Sequence, residues 1–330
     1  MLIGFDIGGT KCSVTLGRDN GNEGIDITEK KVLPTDKSVY EMINMLFNTA
    51  EELLAKQSVP IESISGIGIS CGGPLSSKRG IILSPPNLPG WDNIPIVELT
   101  EERFVKPVLL QNDANAGAIA EWKYGAGKGY NNIIFLTFGT GMGAGLILDG
   151  KLYSGTNDLA GEAGHMRLAE MGPVGFGKAG SFEGFCSGGG IAQLAQIKVR
   201  QKLQMGEKVS FCNTLNDLPY LTAKIVAEAA YQGDEVAIDI YKICAGYLGK
   251  GLSLLIDILN PEVIILGSIY GRAQSLIEPD MRKMLEKEAI SFSYKHCRIV
   301  PAGLSDNIGD IAALTLAIES TLKKSQWSKN

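Results

Sequence analysis

The sequence predicts an α/β protein built from two domains. Short apolar runs of strand length recur along the chain, at residues 2–6, 67–70, 108–111, 133–138 and 263–266, and each ends in a glycine-rich or polar turn. Stretches of helical periodicity alternate with these runs. A chain of 330 residues is also too long for one small core, so two domains are the default.

The first run turns at Gly8-Gly9-Thr10 and returns over residues 13–16, so the chain opens as a hairpin. Met42, Ile43, Leu46, Phe47, Ala50, Leu53 and Leu54 recur at three and four residues and mark an amphipathic helix. The runs 67–70 and 108–111 read as short buried strands closed by Cys71-Gly72-Gly73-Pro74 and by Asn112-Asp113. A helix follows the second, with Ala116, Ala118, Ala120 and Trp122 on its small and apolar faces. The opening theme then returns: a strand at 133–138, the turn Gly139-Thr140-Gly141-Met142-Gly143, a strand at 144–148 and a hairpin turn at Asp149-Gly150. Phe5-Asp6-Ile7-Gly8-Gly9-Thr10 and Thr137-Phe138-Gly139-Thr140-Gly141 read as one device used twice. Beyond residue 190 the chain is helix-rich. A helix at 245–259 stops at Asn260-Pro261, because proline cannot continue it. A buried strand at 263–266 ends at Gly267-Ser268, and the last long helix lies near 308–323.

Composition excludes several classes. A net charge of −5 argues against a nucleic-acid or anionic-membrane footprint, which needs clustered Lys and Arg. The densest basic run, Lys323-Lys324 with Lys329, is expected to be a frayed tail. No apolar run approaches the ~18 residues that span a bilayer, and no signal-peptide pattern opens the chain. The sequence opens directly on the first strand, so no N-terminal helix-turn-helix module is expected. Cys12, Cys71, Cys186, Cys212, Cys244 and Cys297 are scattered without a CxxC pair. Neither a disulfide framework nor a zinc cluster is indicated, and a reducing cytoplasm is the expected home.

Four motifs carry chemistry. In Asp6-Ile7-Gly8-Gly9-Thr10-Lys11, adjacent glycines let backbone N–H groups approach phosphate oxygens; Thr10 adds a hydroxyl and Lys11 a charge. Asp6, at the strand end, could hold a water of a nucleotide-bound Mg²⁺. A plain hairpin turn would look the same, so this motif decides nothing alone. Gly139-Thr140-Gly141-Met142-Gly143 is a second phosphate-sized turn, and two such turns favour a two-jawed phosphate clamp. Neither fits the P-loop pattern. In Gln111-Asn112-Asp113-Ala114-Asn115, a carboxylate lies between a strand and a helix, where a general base would sit and Asn112 could meet a sugar hydroxyl. The same residues would cap the helix, and spacing alone favours that plainer role. Finally, Gly161-Glu162-Ala163-Gly164-His165 with Glu183 offers two carboxylates and an imidazole for several sugar hydroxyls. His165 and His296 are the only histidines, and a lone histidine is more often structural.

Together these motifs resemble the ROK family, which holds sugar kinases, repressors and related open reading frames within the actin-like and hexokinase-like ATPase superfamily. The resemblance runs in order through DIGGTK at Asp6, NLPGW at 87–91, NDANA at Asn112, TFGTGMGAGLI at 137–147, GEAGH at Gly161, ExxxS at 183–187 and NPEVIILG at Asn260. It implies two ribonuclease-H-like lobes with an interlobe cleft that closes over ATP and sugar. The expected domains are a small lobe at 1–111, completed by the C-terminal helix at about 306–330, and a large lobe at 112–305. By the resemblance Asp113 is the catalytic base. Asn112, Glu162, His165 and Glu183 bind the sugar, with Asn87 and Gly73 in sugar-side loops. Gly9, Thr10, Gly139, Thr140 and Gly141 would fall on the phosphates and Gly267 near the adenosine; the motif itself adds Gly8 and Lys11 to the phosphate side and expects Mg²⁺, carried by the nucleotide, near Asp6.

Two departures stand out. Many family members carry a CxCGxxGC zinc motif before the ExxxS glutamate, with the GH histidine as fourth ligand. Here the cysteine positions read Val174, Phe176 and Ser181. Valine and phenylalanine cannot ligate zinc, and Cys186 lies on the wrong side of Glu183, so no structural zinc is expected. His165 is then left for sugar contact or local hydrogen bonding, and the unclamped segment 172–180 is expected to be mobile. The second departure is Gly267-Ser268-Ile269-Tyr270, where the family often has a run of glycines; a bulkier turn would reshape the adenine side. The sequence therefore points to an ATP-dependent kinase of a hexose or N-acetylhexosamine, acting on the 6-hydroxyl. A sugar-responsive regulatory protein and another actin-like ATPase are the rivals. Glucose, mannose, fructose, N-acetylmannosamine and N-acetylglucosamine call for similar residues, and family members are often homodimers.

Overall fold

The computed structural model describes residues 1–21 and 24–327; Lys329, the end of the basic tail run, lies outside them. In chain order the first elements are β1 (Leu2–Ile7), β2 (Lys11–Asp19), β3 (Ile25–Pro34), α1 (Val39–Lys56), β4 (Gly66–Cys71), β5 (Leu75–Ser76) and β6 (Ile81–Ile82). They are followed by α2 (Ile96–Phe104), β7 (Val108–Asn112), α3 (Asp113–Tyr124), β8 (Ile133–Leu136), β9 (Ala144–Leu148) and β10 (Lys151–Leu152). After these come β11 (Val174–Gly175), β12 (Lys178–Ala179), α4 (Phe182–Phe185), α5 (Gly188–Gln204), α6 (Ala223–Tyr231) and α7 (Glu235–Leu259). The chain closes with β13 (Val263–Leu266), α8 (Ile269–Glu288), α9 (Ser291–His296), β14 (Arg298–Pro301) and α10 (Ile308–Trp327).

Two five-stranded sheets have the same internal order, β3-β2-β1-β4-β7 and β10-β9-β8-β13-β14. In the first, β2 pairs antiparallel with β1 and β3, while β1, β4 and β7 run parallel. In the second, β8, β13 and β14 run parallel and β9 and β10 form a hairpin. The two glycine-rich turns occupy the same topological place, between the first two strands of each series.

The chain separates into two compact units: Met1–Gly129 with Gly145–Ala160 and Gly303–Asn330, and Tyr130–Ala144 with Gly161–Ala302. The first unit thus runs past the expected boundary at 111 as far as Gly129. The reason is that α3 packs on α10 instead of starting a new core. That unit also takes back residues 145–160.

In the first unit, α10 lies directly on β1 and β4 because glycines clear its path. A Cβ on Gly68 would sit 2.0 Å from the Ala313 carbonyl oxygen, and one on Gly66 would sit 2.3 Å from that of Ala317. The opposite face buries Met42, Ile43, Leu46 and Phe47 of α1, with Phe5, Phe47 and Phe104 meeting as an aromatic cluster. The buried carboxylate of Asp310, in the first turn of α10, accepts from Ser13 Oγ at 3.1 Å and Thr15 Oγ1 at 2.8 Å and pairs with Lys30 at 2.5 Å. The helix is thereby fixed to β2 and β3 by polar groups that find their partners inside.

In the second unit, α7 is ten residues longer at its N-terminal end than the periodicity suggested (residue 235 against 245). Asp234 caps it, accepting the Ala237 N–H at 3.0 Å. It ends as expected at Asn260, which takes a left-handed φ of 44° ahead of Pro261. Among the described residues no helix is long and apolar enough to cross a membrane, and all six cysteines are free and buried.

Candidate active site

The first unit gathers its candidates at the carboxyl ends of β1, β4 and β7, where parallel sheets offer strand-end loops to ligands. The register puts Asp6 beside Ser70, Ile7 beside Cys71, and Cys71 beside Asn112. The turn after β1, the Gly72-Gly73 turn after β4 and the Asn112-Asp113 turn after β7 therefore lie side by side.

Each turn has a local cause. Gly8 N–H donates to the Lys11 carbonyl at 3.2 Å, closing the first turn. Thr35 Oγ1, at the far end of β3, donates to the Gly8 carbonyl at 2.7 Å and pins it. Gly9 must be glycine, because a Cβ there would sit 2.2 Å from the Asn87 carbonyl oxygen. The Asn87 segment thus lies directly against the first glycine turn. Gly9, Thr10 and Lys11 are exposed.

Asn112 caps α3: its Oδ1 accepts the N–H groups of Ala114 at 3.0 Å and Asn115 at 3.4 Å. The capping role that spacing favoured is real, and it commits the Asn112 oxygen, so toward a ligand this side chain acts through its Nδ2 donor. A Cβ on Gly73 would approach that Nδ2 to 3.3 Å. Asp113 opens α3 and accepts the Ala114 N–H through Oδ1 at 2.8 Å. It keeps an exposed surface while protein crowds it closely. That crowding raises its carboxyl pKa, against the lowering pull of backbone N–H groups at the helix start. Burial also pushes Asp6 up to about 6; the negative charge of Asp113 adds to this, and a hydrogen bond with Ser70 works against it. Asp6, whose charge is disfavoured by burial and by Asp113, lies with that second carboxylate beside an exposed glycine turn, a donor set that a divalent cation carried by phosphates would relieve. The residues fit an Mg²⁺–nucleotide.

The second unit repeats the arrangement at the end of β8. Thr137 Oγ1 accepts the Gly143 N–H at 2.9 Å, and Gly139 N–H donates to Gly141 at 3.1 Å. Gly188, in the first turn of α5, donates to the Gly139 carbonyl at 2.7 Å. Gly267 follows β13, is buried and donates to the Leu136 carbonyl at 2.9 Å. Ser268 next to it holds a φ of 37°, a left-handed conformation that favours glycine.

Glu162, Gly164 and His165 form a single turn against this loop. A Cβ on Gly164 would lie 2.1 Å from the Met142 carbonyl oxygen and 3.2 Å from Glu183 Cβ. Glu183 sits on α4, which Ser181 caps by accepting the Gly184 N–H at 3.1 Å. Its Oε2 accepts the Met142 N–H at 2.9 Å. His165 and Glu162 are exposed.

The expectation of a mobile segment at 172–180 is corrected. The segment folds into the hairpin β11–β12, with Val174 paired to Ala179 and Gly175 to Lys178. Gln193 of α5 grips Val174 on both sides, accepting its N–H at 2.9 Å and donating to its carbonyl at 2.8 Å. Lys178 Nζ donates to the His165 carbonyl at 2.8 Å, and Phe176 meets the His165 ring edge-on at 6.0 Å. Protein hydrogen bonds thus hold the segment. Val174 and Phe176 present no ligand atom, and among the described residues no three His, Cys, Asp or Glu side chains gather to hold a metal.

Within the Gln111–Asn115 motif, Gln111 Oε1 accepts the Asn112 N–H at 2.8 Å. Two other side chains that position this machinery went unread in the sequence: Thr35 behind Gly8, and Ser70 behind Asp6. Each works across a strand pairing or a turn, and no local motif marks it.

The chain as a whole has known relatives. The glucokinase of Streptomyces coelicolor is 29% identical over 323 residues, covering 97% of this chain and 98% of its own. The xylose repressor of Caldicellulosiruptor bescii is 26% identical over 328 residues, covering 99% of this chain and 80% of its own. A solved ROK family glucokinase from Streptomyces griseus, in complex with glucose and AMPPNP, matches with a TM-score of 0.76 at 27% identity, covering 96% of this chain and 99% of that one. The ROK family pattern itself runs through residues 2–320, end to end across both sheets. With its two-lobed α/β fold, the chain belongs to the ROK family.

Proposed function

We propose that this chain transfers the terminal phosphoryl group of ATP to a hydroxyl of a hexose or N-acetylhexosamine, with the 6-hydroxyl as acceptor. The observation that carries this reading is the carboxylate of Asp113 at the head of α3, exposed at its tip yet crowded by protein, beside Asp6 and the first glycine turn. A general base is most effective when its pKa approaches the working pH, and burial moves Asp113 in that direction. Its Oδ1 is held by Ala114 N–H, so the proton of the attacking hydroxyl passes to Oδ2. The new oxygen–phosphorus bond forms as the bond to the β-phosphate oxygen breaks, and ADP leaves.

Phosphoryl transfer asks the protein mainly for positioning and electrostatics. Asn112 donates to the sugar through Nδ2. Glu162, His165 and Glu183 accept from or donate to its other hydroxyls, and Gly73 and Asn87 flank it. Gly9, Thr10, Thr140 and Gly141 offer N–H groups and hydroxyls to the phosphates and Lys11 a charge; Gly8 and Gly139, whose N–H groups close their own turns, let the phosphates approach the backbone; and Gly267 lies by the adenosine. Asp6 would help hold a nucleotide-bound Mg²⁺, which would supply neutralisation of the phosphate charge. Similarity to glucokinases supports the kinase reading.

The test is ADP formation across a panel of hexoses and amino-sugars, with wild type and Asp113→Asn side by side. A sugar-dependent signal is expected in the wild type, reduced ~10²- to 10⁴-fold in the variant while sugar binding survives. An Asn variant with near-normal turnover would remove Asp113 from this role. Similarity to a xylose repressor over 328 residues favours a second reading, a sugar-responsive regulator. That reading takes over if no sugar raises ADP release but one raises the melting temperature.

A further inference from the structure

Three sequence motifs meet in the second unit with no room between them: the turn 139–143, the turn at Gly164-His165, and Glu183 on α4. A Cβ on Gly141 would lie 2.9 Å from Glu183 Oε2, and one on Gly164 would strike both Met142 and Glu183. From behind, the hairpin β11–β12 presses on the same residue: a Cβ on Gly175 would lie 2.8 Å from Glu183 Cβ and 2.6 Å from Gly184 N. The Glu183 backbone therefore has little freedom. Its carboxylate spends one oxygen on the Met142 N–H, at 2.9 Å. Met142 is itself buried, so that N–H has poor access to a replacement water.

We propose that Glu183 is a positioning residue for the glycine turn 139–143 as well as a sugar ligand, and that it couples the two ligands. Its Oε1 takes a sugar hydroxyl while Oε2 holds Met142 N–H, so occupancy of one oxygen adjusts the turn held by the other. This deepens the kinase reading and rests on it. The bond is charge-assisted, the stronger class of hydrogen bond. Coupling through one shared group is reciprocal: whatever factor the sugar gives to nucleotide affinity, the nucleotide returns to sugar affinity. Gly188, which donates to the Gly139 carbonyl, anchors the other end of the turn through a bond independent of the Glu183 carboxylate.

The experiment measures the Kd of a non-hydrolysable ATP analogue without sugar, for wild type, Glu183→Gln, Glu183→Met and Glu183→Ala. The KM values for sugar and ATP are measured for the same set. Glutamine keeps a carbonyl oxygen for Met142, in a neutral bond in place of a charge-assisted one, and turns an amide toward the sugar. Its sugar KM is expected to rise while its analogue Kd rises less than that of the methionine variant. Methionine keeps the length and removes the acceptor, and alanine removes both. Each is expected to weaken analogue binding roughly tenfold even with no sugar present; the methionine variant serves if alanine fails to fold. Adding glucose, or the sugar that supports turnover, should tighten analogue binding to wild type about fivefold or more and leave the methionine variant unmoved. Wild type that binds while Glu183→Met binds equally well would overturn the coupling alone. Wild type that does not bind the analogue at all would sink the kinase reading and this inference with it.

Discussion

The two glycine-rich turns have the same strand-to-strand setting but different support. The first follows β1, with Asp6 near the strand end, and the neighbouring parallel strands bring Ser70 and Asp113 alongside. Neutral groups fix its backbone: Thr35 on the Gly8 carbonyl, and the Asn87 carbonyl packed on Gly9. The second follows β8 and has Thr137 where the first has Asp6. A charged side chain fixes its backbone instead, Glu183 on Met142 N–H, helped by Gly188 on the Gly139 carbonyl. A repeated fold thus keeps the turn and reassigns the charge: in the first unit the carboxylates stand at strand ends, in the second the carboxylate stands behind the turn. On the proposed reading, the proton acceptor belongs to the first unit and the second binds and positions.

Glycine replacements break this comparison most sharply. Alanine at Gly9 would place Cβ 2.2 Å from the Asn87 carbonyl, so the turn or the Asn87 segment must move. At Gly139 the nearest atom to the new Cβ is the Thr137 oxygen at 3.4 Å, ordinary van der Waals contact. Gly9→Ala is expected to destabilise the protein by about 1–3 kcal/mol, as overpacked sites do, and to raise the ATP KM tenfold or more. Gly139→Ala is expected to leave the melting temperature close to wild type. Equal melting temperatures for the two variants would show that the packing difference between the turns is immaterial.

Most of this asymmetry could not be read in advance. The paired hairpins, α1 and the residue types of the site were legible, because apolar periodicity and glycine spacing are local signals. β3 was missed because Ile25–Pro34 is half polar and breaks its alternation at Glu29-Lys30-Lys31, with one buried position at the sheet edge. α8 was missed because Pro279 and a break at Ala273 interrupt its pattern. In the site, Asp113 and Glu183 could be nominated from their motifs, but Thr35 acts on a residue 27 positions away and Glu183 on one 41 positions away. Such pairings exist only once the strands are in register. The segment 172–180 was misjudged for the same reason, since its clamp, Gln193, belongs to a helix further along the chain.

The next effect sharpens the electrostatic half of the comparison. Asp6 titrates near 6 in the folded protein against an ordinary 3.8. Its pKa is raised, so the folded state binds the proton more tightly than the unfolded chain, and stability falls as pH rises from about 4 through about 6. Asp113, also raised, works in the same sense. In the ligand-free protein the melting temperature is expected to drop by a few degrees across that window, and Asp6→Asn should flatten much of the drop. An unchanged slope in the variant would place the pH sensitivity outside the first turn.

The smallest effect concerns the brace behind the second turn. Gln193→Ala removes two hydrogen bonds to the Val174 backbone at the edge of the β11–β12 hairpin. These are solvent-facing bonds, each worth roughly 0.5–1.5 kcal/mol net, and Val174 is half exposed, so water replaces much of what is lost. Global stability should therefore change little. The hairpin should loosen locally, with amide exchange at residues 174–179 speeding up by about tenfold. Gly175 packs against Glu183, and Lys178 holds the His165 carbonyl. A looser hairpin should thus raise the sugar KM a few-fold while kcat and the ATP KM hold, because the Met142 bond and the Gly188 anchor remain. If the ATP KM rose in step with the sugar KM, the hairpin would be supporting the glycine turn itself, and the second turn would depend on a wider surround than the first.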